Sequence, residues 1–435
     1  MSRTDKVCWL FLVVALWFPP LPAEAKQHRA SPTARRAHPA RVASRSRPRP
    51  SLLIPPLSEV SAKAAVLMDA ESGQVLFARN ADTPMYPASC TKIMTALLAL
   101  ERGKLDDKVK ASRRASEAEP SHIALQPGET LTLRQLLYAL ILKSANDAAV
   151  AIAEHIGGSV EGFADLMNQR ARELGCTNTH FVTPSGLHDK RHYTTARDLA
   201  LMARAALQRE DFRHIITMRV VQMPRAGKPW RRVVYNKNRF LSLFEGADGV
   251  KTGFTTPAGR CFVGSATRHG WQLIAVVLRC DNIYQDAAGL LTYGFKNFQR
   301  VPLVERNEPV SRVKVVNGTA ATCRVVTARD VTIPYPKHRT PLVKRHITRR
   351  VLKAPVKKGR EAGALTVLVD GKIVGQVPLV TAESVALKPP PPPLAWGKWG
   401  IWGALGLLIV GGYGAVAKSH RERWRRLAAR RGAAD

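Results

Sequence analysis

The order in which strand-like and helix-like stretches follow one another is the feature that most constrains the fold. Residues 64–79 predict two strands, Ala64–Asp69 and Gln74–Arg79, joined by a turn. A long helical region follows, and three further strand-like stretches, ADGVKTGFT, GRCFVGSAT and WQLIAVVLRC, come only after residue 246. Strands, then helices, then strands again predict an α+β domain. In such a domain an antiparallel sheet carries a cluster of helices, and its first and last strands can be neighbours.

The helical region contains one break and one capping signal. The stretch LTLRQLLYALILKSANDAAVAIAEHIGG predicts two helices interrupted at Ser144–Asn146. Thr195 and Asp198 form a capping pattern at the start of a further helix, TTARDLALMARAALQ. The break is notable because it places two short polar side chains between apolar helices.

An earlier apolar run, PASCTKIMTALLAL, begins with Ser89 and Lys92 one helical turn apart. Residues three apart lie on the same face of a helix, and the apolar run predicts that this face is buried. Burial lowers the pKa of a lysine and makes it a base, which a serine hydroxyl needs in order to become a nucleophile. The stretch is therefore either a reaction centre or only a capped helix.

The formal net charge of +34 has two interpretations, a nucleic-acid binder or a solvated basic surface near an anionic membrane or wall. Part of this charge lies in a cluster at residues 344–360. Basic and aromatic residues are not interleaved as in nucleic-acid-binding modules, and both ends of the chain carry membrane-targeting signals. We therefore expect no nucleic-acid partner.

The N-terminal residues predict export. Two basic residues precede an apolar stretch at 7–18, and Ala23-Glu24-Ala25 follows as a cleavage pattern. We interpret residues 1–25 as a signal peptide and residues 26–57 as a basic disordered linker. The predicted α+β domain then covers residues 58–299.

The C-terminal third changes composition. Short valine-rich runs with turns at residues 300–386, including Asp370-Gly371 at a hairpin position, predict a small all-β domain. Residues 387–398 form a proline-rich spacer. Residues 399–417 are uncharged over a length that fits a transmembrane helix, and the basic tail at 418–435 predicts a cytoplasmic end.

Five cysteines remain after removal of the signal peptide. The odd number and the absence of a C-x-x-C motif argue against a disulfide framework and against a zinc site. We expect most of them to be buried as small apolar side chains.

Three short motifs occur in one order: Ser89-x-x-Lys92, then Ser144-Ala145-Asn146, then Lys251-Thr252-Gly253. Each is weak alone, but all three together at these spacings are characteristic of penicillin-recognising serine enzymes. With the blocks around them, the chain resembles the low-molecular-weight penicillin-binding proteins that are D-alanyl-D-alanine carboxypeptidases, serine peptidases of family S11. The resemblance covers roughly residues 58–386 and implies a β-lactamase/transpeptidase-like catalytic domain.

The resemblance also implies roles for the motif residues. Ser89 is the nucleophile, Lys92 its base, and Ser144 a proton relay to the leaving amine. Asn146, Lys251, Thr252 and Gly253 bind the substrate, whose terminal carboxylate meets Thr252. Backbone N–H groups of Ser89 and Phe254 form the oxyanion hole. The partners implied are peptidoglycan stem peptides, β-lactam antibiotics and the membrane, with no metal and no cofactor.

Other functions remain open at this point. An endopeptidase or a transpeptidase would share every motif, and so would a β-lactamase. No Glu-x-x-Leu-Asn pattern of the kind that a β-lactamase needs lies between Asn146 and Lys251. A non-catalytic penicillin sensor is disfavoured because the reactive residues are intact.

Several polar residues near these motifs have simpler interpretations. We expect His188 and His192 to shape a loop, Cys90 to point into the core, and Asp147 to cap a helix.

Overall fold

The computed structural model describes residue 52, residues 54–391 and residues 396–431, with side chains in the last helix only at 400 and 402–427. Its helices are α1 (Lys92–Arg102), α2 (Arg113–Ser116), α3 (Leu133–Tyr138), α4 (Asn146–Gly157), α5 (Val160–Glu173), α6 (Ala196–Leu207), α7 (Glu210–Thr217), α8 (Phe240–Leu243), α9 (Ile283–Asn297) and α10 (Trp396–Arg431). Its strands are β1 (Ala64–Asp69), β2 (Val75–Arg79), β3 (Lys108–Lys110), β4 (Thr130–Thr132), β5 (Val220–Met223), β6 (Arg232–Tyr235), β7 (Ala247–Thr255), β8 (Gly259–Arg268), β9 (Trp271–Leu278), β10 (Phe298–Val304), β11 (Pro309–Val316), β12 (Thr322–Thr327), β13 (Val331–Pro336), β14 (Val343–Arg349), β15 (Leu352–Lys353), β16 (Glu361–Val369) and β17 (Lys372–Thr381).

The main sheet has five strands in the order β2-β1-β9-β8-β7, all antiparallel. Its first strand in sequence pairs with one of its last, since Ala64 lies opposite Leu278 and Asp69 opposite Leu273. The predicted neighbourhood of early and late strands is therefore confirmed. Strands β8 and β9 form a hairpin that turns at His269-Gly270.

Both faces of this sheet are covered, which explains why β1 is buried at every position. Alternate β1 side chains belong to two apolar clusters: Ala64, Val66 and Met68 pack with α1, α4 and α6, whereas Ala65 and Leu67 pack with α9. A strand that is buried on both faces reads as a continuous apolar run. The sheet thus becomes a rigid central layer on which the helical cluster rests.

Strands β10 to β17 form a separate β domain with its own core. Six of them make one sheet in the order β14-β16-β17-β12-β11-β15, and β10 pairs with β13. The α+β domain followed by a small all-β domain agrees with the prediction from the sequence.

Helix α10 forms over the residues predicted as a transmembrane helix and continues through the basic tail. Among the residues that the structure describes, no helix is long and apolar enough to cross a membrane. The prediction of a spanning segment at 399–417 is thus not supported. The predicted signal peptide lies outside the described residues, as does nearly all of the predicted linker at 26–57.

The five cysteines at positions 90, 176, 261, 280 and 323 are free and buried. Burial raises the pKa of the Cys176 thiol to about 12 and of the Cys261 thiol to about 11. The prediction that most of these cysteines are buried is confirmed.

Candidate active site

Ser89 lies at the entrance of α1, in a 3₁₀ turn at Ala88–Thr91, and the α-helix itself begins at Lys92. The sequence predicted the serine inside the helix, so the boundary differs by one turn. Ala88 has a φ of 48°, in the left-handed region that non-glycine residues rarely adopt. This backbone turn presents Ser89 at the end of a buried helix, where it lines an open cavity.

Two glycines allow other segments to approach the Ser89 turn closely. A Cβ at Gly186 would lie 1.9 Å from the Ala88 carbonyl oxygen, and Gly186 also has a φ of +79°. A Cβ at Gly253 on β7 would lie 3.0 Å from the Ser89 nitrogen. Any side chain at either position would therefore push a neighbouring segment away from Ser89.

The Lys92 side chain is fully buried and its amine has three polar neighbours. Nζ lies 3.0 Å from the Ser89 Oγ, 2.7 Å from the Asn146 Oδ1 and 2.6 Å from the Ser185 carbonyl oxygen. Burial lowers the pKa of Lys92 well below its usual value, and the nearby positive charge of Lys251 lowers it further. The amine is thus placed to work in its neutral form.

The three contacts can each be assigned for the neutral amine that the lowered pKa of Lys92 favours. A neutral amine has two N–H donors and one lone pair, and an oxygen of an amide or a carbonyl can only accept. Asn146 Oδ1 and Ser185 O therefore take the two N–H groups of Lys92. In this neutral form the lone pair is left for the Ser89 hydroxyl, the one neighbour of the three that is able to donate.

Ser144 and Lys251 form the second polar pair of the site. Ser144 ends a π-helical turn at Ala139–Lys143, with φ 65° and ψ 39°. Lys251 Nζ on β7 donates to the Ser144 Oγ at 2.9 Å and to the Thr252 carbonyl oxygen at 2.9 Å. Burial lowers the pKa of Lys251 to about 8, so the group is still largely protonated at neutral pH.

Asn146 is fixed from two sides. Its Nδ2 donates to the Glu119 carbonyl oxygen at 2.9 Å, which leaves Oδ1 facing Lys92. The neighbouring Asp147 is fully buried and accepts the backbone N–H groups of Ile123 and Leu125. Asp147 thus ties the segment that carries Glu119 to the start of α4, a larger role than the predicted helix cap.

His192 supports the segment that carries Ser185. Its Nδ1 accepts the backbone N–H groups of Val182 and Thr183, at 3.0 and 3.2 Å, and its Nε2 lies 2.9 Å from the Thr91 Oγ1. Burial lowers the pKa of His192 to about 4. The imidazole is therefore neutral and structural, as expected from the sequence.

The predicted site residues converge on one cavity of about 560 Å³. Its lining includes Ser89, Ser144, Asn146, Thr252, Gly253 and Phe254. Lys92 and Lys251 lie buried behind this lining and reach it through their hydrogen bonds to Ser89 and Ser144. The Phe254 side chain is largely exposed. These residues come from segments that are far apart in the sequence, and the fold brings them together.

The sequence did not indicate all of the groups that form the site. Ser185 and Glu119 contribute backbone carbonyl oxygens, and a backbone atom leaves no residue-specific signal. Lys237 and Tyr284 also line the cavity and belong to no motif that the sequence singled out. Within the described residues, no group of three or more His, Cys, Asp or Glu side chains could hold a metal ion.

Cys90, next to Ser89, is not placed to act as a nucleophile. Its Sγ is buried and points to the Lys251 carbonyl oxygen at 3.6 Å. Burial raises the pKa of this thiol far above its usual value, so it carries no thiolate.

Comparison with protein families gives two matches along the chain. The profile of D-alanyl-D-alanine carboxypeptidase, peptidase S11, matches residues 51–282, and that of the penicillin-binding protein 5 C-terminal domain matches residues 298–387. The D-alanyl-D-alanine carboxypeptidase DacF of Bacillus subtilis is 36% identical over 334 residues, which cover 74% of this chain and 86% of DacF.

Solved structures show the same similarity. Penicillin-binding protein 5 from Haemophilus influenzae superposes with a TM-score of 0.63 at 31% identity, covering 76% of this chain and 99% of that one. The DD-transpeptidase of Streptomyces K15, solved as a serine-to-alanine mutant, superposes with a TM-score of 0.52 at 34% identity. It covers 55% of this chain and 98% of that one.

Proposed function

We propose that Ser89 and Lys92 carry out the reaction of this chain. The chain belongs to the D-alanyl-D-alanine carboxypeptidases of peptidase family S11 and is a serine-type hydrolase of peptidoglycan peptides. The observation that supports this most directly is the hydrogen-bond arrangement of the buried Lys92 amine. Its two acceptor neighbours leave the lone pair for the Ser89 hydroxyl.

In the first half of the proposed reaction, the Ser89 proton passes to Lys92 Nζ while Oγ attacks the carbonyl carbon of the terminal D-Ala-D-Ala bond. The backbone N–H groups of Ser89 and Phe254 stabilise the negative oxygen that forms. The C–N bond then breaks, and the proton on Lys92 is passed through Ser144 to the leaving amine. Free D-alanine departs, and an ester to Ser89 remains.

In the second half, water attacks the ester carbon and gives its proton to Lys92. The Ser89 oxygen leaves as its bond to carbon breaks and regains a proton from Lys92. A β-lactam follows the first half only, because its leaving amine stays attached to the opened ring and blocks the water.

Lys251 and Thr252 bind the carboxylate of the terminal D-alanine in this proposal. Lys251 is buried beside the cavity and is still largely protonated near neutral pH, so it adds positive potential where the substrate is negative. Lys237 and Arg260 add two further cations to the lining. This charge favours a peptide with a free C-terminal carboxylate over an internal peptide bond.

A transpeptidase would share every step up to the acyl-enzyme and would then use an amine in place of water. The similarity to the K15 DD-transpeptidase is the observation that favours this second function.

Incubation of the purified protein with a stem pentapeptide distinguishes the two functions. We expect loss of one alanine per peptide, measured by mass spectrometry, with the same tetrapeptide product whether or not an acceptor amine is added. Dominant formation of a peptide–amine adduct would contradict the carboxypeptidase function.

We also propose residues 58–299 as the catalytic domain and 300–386 as a second domain, supported by their separate cores and separate family matches. The protein acts outside the cytoplasmic membrane in this proposal and is attached to it through α10. Large apolar side chains of that helix, among them Trp402, Leu408 and Val410, are exposed.

A protease added to cells whose outer layers have been opened tests this location. We expect digestion of the catalytic domain while a cytoplasmic marker protein stays intact. Survival of the domain under conditions that digest a known exported protein would contradict export.

A further inference from the structure

The β domain carries a basic end that the proposed reaction does not use. It consists of six cations within twelve residues that contain no carboxylate: Arg349, Arg350, Lys353, Lys357, Lys358 and Arg360. All six are exposed. Arg350 forms an ion pair with Glu361, at 3.1 Å, and among the described residues no ion pair involves the other five.

Strand pairing and hydrogen bonds hold these cations at one place in the fold. Arg349 lies opposite Gly363 at the start of β16, and Arg360 lies just before that strand. The Arg360 guanidinium reaches the Lys353 carbonyl oxygen at 3.4 Å, and the Lys358 N–H donates to the Ser384 Oγ at 3.0 Å. The positive charges are therefore fixed by the β domain and are not spread along a loose segment.

Exposed apolar side chains occur on the same segments. Val351 is 66% exposed between two of the cationic positions, and Val316, opposite Lys353, is 39% exposed. Leu387 is 55% exposed and forms a bridge with Gly318, two residues beyond Val316. Cations combined with exposed apolar side chains suit the boundary between lipid headgroups and acyl chains.

The route of the chain places this end close to α10. Lys388 leaves the β domain where its N–H donates to the Asn317 carbonyl oxygen at 2.8 Å. Helix α10 begins at Trp396, so even a fully extended connection spans at most about 28 Å. A surface that binds α10 is thus within reach of the basic end.

From these observations we propose that the basic end of the β domain binds an anionic lipid surface, and that this contact adds to any made by α10. The proposal concerns orientation on the membrane and does not depend on the proposed reaction. A cation near an anionic bilayer strengthens binding by roughly fivefold. Four of the six cations should therefore contribute well over tenfold.

The test uses the full chain and sedimentation with vesicles of phosphatidylglycerol and phosphatidylcholine at low salt. We expect the variant K353Q/K357Q/K358Q/R360Q to bind anionic vesicles at least tenfold more weakly than wild type. Its binding to vesicles that contain only phosphatidylcholine should equal that of wild type. The matched control K63Q/K104Q/K108Q/K110Q removes the same charge from exposed lysines outside the β domain. Fluorescent penicillin labelling and the melting temperature report whether each variant is folded.

A second pair of measurements separates lipid from an anionic polymer. The variant V351S/L387S should bind anionic vesicles more weakly and should bind soluble poly(glycerol phosphate) as wild type does. Equal vesicle binding by wild type and the four-cation variant would overturn the proposal. The proposal would also be overturned if the four-cation variant lost binding to poly(glycerol phosphate) and kept binding to anionic vesicles.

Discussion

Replacement of Ser89 by alanine is expected to abolish covalent labelling by a fluorescent penicillin and to lower carboxypeptidase turnover on the order of 10⁴-fold or more. The reason is that Lys92 Nζ, a buried amine with a strongly lowered pKa, lies 3.0 Å from the Ser89 Oγ. The hydroxyl of Ser144 faces Lys251 instead, which is largely protonated at neutral pH and cannot take its proton. Gel fluorescence after denaturation measures the covalent product, and mass spectrometry measures D-alanine release.

Cys90→Ala is the matched control, because it changes the adjacent residue by a comparable volume. Cys90 is buried in the core, so labelling should persist at close to the wild-type rate. A stable, folded Ser89→Ala protein that still formed the covalent adduct would show that another residue is the nucleophile.

Replacement of Lys92 by arginine is expected to lower the second-order rate of penicillin capture by roughly 10²- to 10⁴-fold, the usual contribution of a general base. Arginine keeps the positive charge but does not deprotonate in proteins. Lys104→Arg, at an exposed position, is the control for the chemical change. Capture by Lys92→Arg at close to the wild-type rate would make Lys92 a structural charge.

The same two lysines predict the pH profile of wild-type capture. The base works without its proton, so the rate should rise with pH as Lys92 deprotonates, well below the usual pKa of lysine. Lys251 works with its proton, so the rate should fall as pH passes about 8. The limbs of this bell-shaped curve report the coupled pair of amines rather than single residues. A rate that kept rising up to about pH 10.4, the usual pKa of lysine, would contradict both assignments.

The sequence predicted the sheet well because its strands are signalled by local patterns. The apolar run at residues 64–68 and the two strand-like stretches between residues 259 and 278 are patterns of adjacent residues, and strands form where they were expected. It also indicated the break at Ser144, since small polar residues interrupt an apolar helix there. It did not indicate the left-handed backbone that aims Ser144 at Lys251, because φ depends on the packing around the turn.

The rest of the site is set by contacts between distant segments. Gly186 is an unremarkable residue in the sequence, yet a Cβ there would collide with Ala88, nearly a hundred residues earlier. The carbonyl oxygens that orient Lys92 and Asn146 likewise come from segments that are distant in the sequence. At the C-terminus, apolar residues over 399–417 predicted a span that the described helix does not support.

The strand order of the main sheet also bears on how the protein is made. Strand β1 needs β9 as a partner, and β9 is synthesised about 200 residues later, which at ribosomal speed takes roughly 10 to 40 s. During that interval the growing chain holds an apolar strand with one hydrogen-bonding edge unmatched. The nascent protein consequently stays without its central layer, and without all the residues that line the Ser89 cavity, until nearly two thirds of the polypeptide has left the ribosome.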